Sequence, residues 1–264
     1  MEKHNGPLQV SAVSFGNTRP FIYGMEHMGV MDRHRVSLDI PSECARKLIS
    51  GEANVGLVPV AAINSIPNAR IITGYGIGGY GPVDSVMLFS QVPLEEIRSV
   101  LLDYHSLSSI RLVKVLAAMH WKKNWQWAPA SQGYEELIHG EMAGVVIGDR
   151  AFTLNERYAY RYDLSEAWFE LTGLPFLFAA WVSNTDLPDA YIEELNEAFA
   201  FGTSHLENSV AQASHPYLDA AGFVNYLQKI RYERNENMMK GFRQFNEYIS
   251  MLEPQFNLEI RPNN

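Results

Sequence analysis

The sequence predicts an α/β protein of two lobes, the first discontinuous in the chain, with a helical C-terminal segment. Three observations carry this. Continuously apolar runs alternate with amphipathic stretches, the pattern of strands covered by helices. Two extended stretches, residues 74–90 and 172–183, read as crossings between lobes, with α/β-patterned chain between them. Roughly the last 75 residues turn helical in pattern and hold no convincing strand. The expected division is 1–87 with 178–264 for the first lobe and 88–177 for the second.

Along the chain, Leu8, Val10, Ala12 and Val13 read as a first strand over 8–14, and Gly16-Asn17-Thr18 as the turn that ends it. Pro20 suits the first turn of a helix over 20–29, where its missing N–H costs nothing. A strand over 36–40, a helix over 42–50 and the apolar strand 55–60 follow. Ile71–Tyr75 reads as a strand running into the glycine-rich run 74–82, and Val83–Ser90 as the first crossing strand. Then come a strand over 100–103, a helix over 107–120, a strand over 125–128, a helix over 134–139 and a strand over 144–148. Phe176–Ser183 is the second crossing, and 188–206, 223–231 and 236–252 are helical. Trp121, Trp125 and Trp127 cluster at one helix-to-strand junction, where packing is their default role.

Composition narrows the function classes. Hydrophobic residues make up 47% and charged residues 19%, ordinary values for a packed globular protein. A net charge of −9 argues against nucleic acid, whose phosphates call for a basic face. One cysteine, Cys44, allows no internal disulfide and no cysteine-based zinc site. The eight histidines are scattered, so no metal is expected. The N-terminus lacks an apolar signal core and no stretch is long enough to span a membrane, so a cytoplasmic protein is expected. Phosphate-binding Walker loops, Gly-x-Ser-x-Gly elbows and His-Glu-x-x-His zinc helices are all missing.

Four places could carry chemistry. The strand-to-helix junction at Gly16–Pro20 aims free backbone N–H groups and a helix dipole at one spot, favouring an anion. Asn17, Thr18 and Arg19 add an amide, a hydroxyl and a guanidinium there. In Gly81-Pro82-Val83-Asp84-Ser85, Asp84 either ends a turn or faces a ligand, with Ser85 beside it. In Asp103-Tyr104-His105-Ser106-Leu107-Ser108-Ser109, Ser106 can cap the helix while Ser108 and Ser109 fall in its first turn. Capping explains one serine, not three, and a helix start again favours an anion. His105 reads either as a base or as a solvated loop residue. Finally, Ile147-Gly148-Asp149-Arg150 ends a strand, with Asp149 placed like a helix cap and Gly148 able to let a ligand approach the backbone.

Taken in order, these segments resemble the chorismate dehydratase family of the futalosine route to menaquinone. The matching stretches are Ser14–Pro20, Gly51–Val60, Gly81–Val86, Pro93-Leu94-Glu95-Glu96-Ile97, the serine-rich turn after Asp103, Ile147-Gly148-Asp149 and Leu171–Phe176. Two departures are visible: Phe15-Gly16 replaces the Tyr-Leu pair common before the Asn, and Tyr104-His105 varies the turn before the serines. The resemblance implies a type II periplasmic-binding-protein-like fold with its ligand cleft between two lobes. It implies loss of water from chorismate to give 3-[(1-carboxyvinyl)oxy]benzoate, with no cofactor.

On that resemblance Asn17 is the catalytic residue, and Thr18, Arg19, Ser85, Ser106, Ser108, Ser109, Gly148 and Asp149 bind substrate. A neutral amide cannot be the base, so Asn17 would orient substrate and stabilise developing charge. The base is then Asp149 or the enolpyruvyl carboxylate of the substrate; the motifs offer hydroxyls and amides, which favours the latter. Arg19 is either a direct partner or a structural brace. The small-molecule partner implied is chorismate, with homodimerisation left open. Two other readings stand beside this one. One is 1,4-dihydroxy-6-naphthoate synthase of the same pathway, whose early Cys-Pro-Asn-Asp-Thr stretch is not seen. The other is a non-catalytic binding protein for a small carboxylate.

Overall fold

A computed structural model describes residues 6–258. Its first half runs β1 (Gln9–Val13), α1 (Arg19–His27), α2 (Val30–Arg33), β2 (Arg35–Asp39), α3 (Pro41–Ser50), β3 (Val55–Pro59), β4 (Arg70–Gly79), β5 (Val86–Ser90), β6 (Ser99–Leu102) and α4 (Leu107–Leu116). There follow β7 (Gln126–Pro129), β8 (Met142–Ile147), β9 (Tyr160–Asp163), α5 (Leu164–Thr172), β10 (Phe176–Ser183), α6 (Asp189–Ser204), α7 (Leu206–Ala211), α8 (Ala220–Lys229), β11 (Ile230–Glu233) and α9 (Glu236–Leu258). A single 3-10 turn stands at Gly16–Thr18 and a longer 3-10 helix at Gly148–Leu154.

The chain divides into two compact units. The first holds residues 6–79, His105–Ser108 and Leu177–Asn235; the second holds Tyr80–Tyr104, Ser109–Phe176 and residues 236–258.

The first unit is built on a mixed sheet of order β11-β4-β10-β3-β1-β2. β1 runs parallel to both β2 and β3, with Val10 opposite Val36 on one side and Val55 on the other. β10 is antiparallel to β3. Every residue of β3 and β10 is buried, as continuous apolar runs demand. Phe21 of α1, Trp181 of β10 and Phe199 of α6 form the centre, their ring centroids 4.6 to 5.7 Å apart. Helices α1 and α6 touch backbone to backbone. A Cβ on Gly24 would lie 1.8 Å from the Ala198 carbonyl oxygen, and one on Gly202 would lie 1.8 Å from that of Pro20. This contact anchors the start of α1, and with it the turn just before.

The second unit has a sheet of order β7-β6-β8-β5-β9. β6 is parallel to β7 and β8, while β5 is antiparallel to β8 and β9. Met87, Phe89, Leu101, Tyr134, Ile138 and Val146 belong to its core. Trp168 of α5 meets Phe176 and Phe245 of α9 edge to face, so the last helix packs within this unit.

Several local expectations are corrected. The C-terminal stretch does contain a strand: β11 pairs antiparallel with β4, so the helix read over 223–231 ends at Lys229. Four short residues carry little periodic signal, and it is the free edge of β4 that makes them a strand. The glycines from Gly74 to Gly79 lie within β4 rather than in a connecting loop. Val83–Ser85 precede the strand instead of opening it. Tyr134–Leu137 forms only one turn of 3-10 helix. β9 and α5 were not expected.

Candidate active site

In the first unit, β1 delivers the chain into the Gly16–Thr18 turn and α1 carries it away. The Asn17 carbonyl accepts the phenolic hydroxyl of Tyr232, on β11, at 3.0 Å. Thr18 is buried, its hydroxyl 3.4 Å from Asn17 Oδ1. Arg19 is engaged locally: Nε donates to the Ser209 carbonyl at 2.9 Å and Nη2 pairs with Glu26 at 3.0 Å. The imidazole of His215 and the ring of Phe223 press on Gly16, where a Cβ would lie 2.9 Å from His215 Cδ2.

The same unit brings the serine-rich turn to this loop. Phe15 packs edge-on to His105 with centroids 6.2 Å apart, and the His105 carbonyl accepts the Ser42 N–H at 3.0 Å. Ser106, buried, immediately precedes α4. Ser108 donates its hydroxyl to the Phe178 carbonyl at 3.0 Å and accepts from the Ala61 N–H at 3.2 Å. It therefore fastens the start of α4 to β10 and to the turn after β3.

In the second unit three loops converge. Gly148 has a φ of 69°, the left-handed region open to glycine, and donates its N–H to the Ser85 carbonyl at 2.8 Å. Ser85 is buried, as is Ser109 on α4. On the other flank the fully buried carboxylate of Asp103 gathers three donors. These are the Ile147 N–H at 3.1 Å, Arg150 Nη2 at 2.5 Å and the Tyr134 hydroxyl at 2.9 Å. Arg150 also pairs with Glu135 and lies over the Tyr104 and Tyr134 rings. Asp149 does not cap a helix as read from the sequence: the capping position is Ile147, and Asp149 sits inside the first turn.

Burial sets the ionisation of the supporting groups. It pushes the Tyr232 phenol well above its usual range, so that group stays a neutral donor to Asn17. It raises Asp163 to about 6, against the lowering effect of four backbone N–H bonds. The Cys44 thiol is pushed up to about 12 by burial, which leaves it an inert core residue. Among the described residues no group of three His, Cys, Asp or Glu side chains is arranged to hold a metal, and no helix is long and apolar enough to cross a membrane.

Of the residues singled out in the sequence, Asn17, Thr18, Arg19, Ser106 and Ser108 fall in the first unit, and Ser85, Ser109, Gly148 and Asp149 in the second. Sequence reasoning missed Arg150, Asp163, Tyr232 and His215. Of these only Arg150 carried a signal, as a charged residue just after an apolar strand.

Known proteins resemble this chain in sequence and in fold. A curated chorismate dehydratase of Thermus thermophilus is 27% identical, with 88% of this chain and 96% of that protein covered. A crystal structure from Archaeoglobus fulgidus superposes with a TM-score of 0.76 at 16% identity, covering 95% of this chain and 99% of its own. The periplasmic aliphatic sulphonate binding protein of Escherichia coli does so with a TM-score of 0.60 at 14% identity, over 95% and 94%. These likenesses bear out the α/β, type II periplasmic-binding-protein-like fold. A family model described as menaquinone biosynthesis matches residues 8–251, and this chain belongs to that family.

Proposed function

We propose that this protein is a chorismate dehydratase that converts chorismate to 3-[(1-carboxyvinyl)oxy]benzoate and water. The observation that carries the reading is the end-to-end likeness to the Thermus thermophilus enzyme.

In this reaction the ring carbon bearing the enolpyruvyl ether loses its proton, and the neighbouring C–O bond breaks. The electron pair left by the proton enters the ring, the hydroxyl departs as water and the ring becomes aromatic. Aromatisation drives the step, so what the protein has to supply is orientation and stabilisation of the charge that develops. Asn17 orients the ring and donates to developing negative charge. The substrate's own enolpyruvyl carboxylate takes the proton and passes it to the departing hydroxyl, so that one water leaves and the carboxylate is regenerated.

The N–H groups and hydroxyls at the start of α4, with Ser106 and Ser109, hold one substrate carboxylate. Asn17 and Thr18 hold the other, and Ser85 is a further proposed contact. Ser108 shapes that helix start, since its hydroxyl is already given to Phe178. Arg19 braces the turn through Ser209 and Glu26. Gly148 and Asp149 complete the substrate contacts.

Incubation of the purified protein with chorismate tests the reading. The expected result is an aromatic product lighter by one water, followed by absorbance and mass. Unchanged chorismate that binds saturably would instead favour a carboxylate-binding protein, and unchanged chorismate without binding would reject chorismate as the ligand.

A further inference from the structure

Asp163, buried where β9 meets α5, holds two unrelated pieces of chain with one carboxylate. Oδ1 accepts the N–H groups of Ser165 at 2.8 Å and Glu166 at 3.2 Å, which caps α5. Capping uses one oxygen. Oδ2 accepts the N–H groups of Val83 at 2.8 Å and Asp84 at 2.7 Å, from a segment far away in the chain. Asp84 has a φ of 61°, a left-handed conformation that a residue with a side chain takes up only at a cost. The paired bonds from Asp163 hold it there. The next residue, Ser85, receives the Gly148 N–H on its carbonyl, so the linkage continues from Asp163 through Asp84 and Ser85 to the Gly148-Asp149 turn.

We infer that Asp163 is a positioning residue: it holds Val83 and Asp84 in the turn that sets Ser85, and through Ser85 the Gly148-Asp149 turn, for substrate binding. The holding rests on geometry alone; its effect on chorismate rests on the function proposed above.

Two variants at pH 8, where the carboxylate is ionised, test this. Asp163→Asn turns an amide NH2 toward one pair of donors. Asp163→Ser keeps an oxygen to cap α5 and gives up the hold on Val83 and Asp84. In either folded variant, amide hydrogen exchange at Val83 and Asp84 should speed up at least about tenfold, while β6 and β8 keep their protection. The KM for chorismate should rise about tenfold, with kcat changed much less. Adding Asp84→Gly should recover part of the KM, because glycine takes a positive φ without strain. Unchanged exchange at Val83 and Asp84 overturns the inference. Faster exchange with an unmoved KM overturns its bearing on substrate. Wild-type protein that leaves chorismate untouched removes the proposed function instead, and the exchange result still decides whether Asp163 holds the turn.

Discussion

The backbone N–H of Gly148 meets the carbonyl of Ser85 at 2.8 Å, tying the loop before β5 to the turn after β8. Gly148 makes this bond from a left-handed φ of 69°. A side chain at 148 costs about 1 kcal/mol in that conformation, or else pushes the turn away from Ser85. Gly148→Ala is therefore expected to lower the melting temperature by a few degrees and to reduce chorismate turnover. Wild-type melting and turnover together would show that the turn tolerates a side chain.

Gly16 is small because His215 and Phe223 fill the space beside it. A methyl group there would stand 2.9 Å from the His215 ring and 3.0 Å from that of Phe223. Gly16→Ala should displace the Asn17 turn and lower kcat/KM about tenfold. The double variant Gly16→Ala/His215→Ala makes room and should recover much of the loss. Steady-state kinetics on the two proteins decides it, since absence of recovery would place the defect elsewhere.

Arg150 neutralises a carboxylate that water does not reach. Asp103 is fully buried, and its charge is met by Arg150 and by hydrogen bonds from Ile147 and Tyr134. Arg150→Met leaves that charge without its cation and should cost about 3 kcal/mol in denaturant unfolding. A loss below about 1 kcal/mol would mean that the two hydrogen bonds suffice.

Asp163 gives a pH signature. Burial raises its folded pKa to about 6 from an ordinary 3.8, so between those values the folded protein binds more protons than the unfolded chain. The stability contributed by this group is fully present below about 4 and is lost as pH rises through about 6. Asp163→Asn does not titrate. The stability of wild type relative to that variant should therefore fall as pH climbs from 4 to 6, measured by urea unfolding at each pH. A flat difference would remove burial as the controlling influence.

Asn17→Ala removes the amide proposed to orient substrate and to meet developing charge. It should cut kcat about a hundredfold or more with an unaltered circular dichroism spectrum. Near-wild-type turnover would take Asn17 out of the chemistry.

Local chemistry was enough to read the apolar strands β1, β3 and β10, the Pro20 helix start and the turn at Asn17. Their signals lie within a few neighbouring residues: side chains buried on both faces, a missing N–H, a glycine at a bend. The candidate residues were legible for the same reason, as polar groups following apolar strands. What tertiary structure alone decided depends on partners far away in the chain. β11 is a strand because β4 offers it an edge, and α9 joins the second unit because Phe245 finds Trp168 and Phe176. Ser108 spends its hydroxyl on Phe178, and Arg19 its Nε on Ser209. Asp103 reads as an ordinary strand-end aspartate until folding buries it, and Asp163 ends a strand that the sequence does not announce. Burial removes water as a partner for their charge, and the donors that replace it come from loops that no local pattern connects.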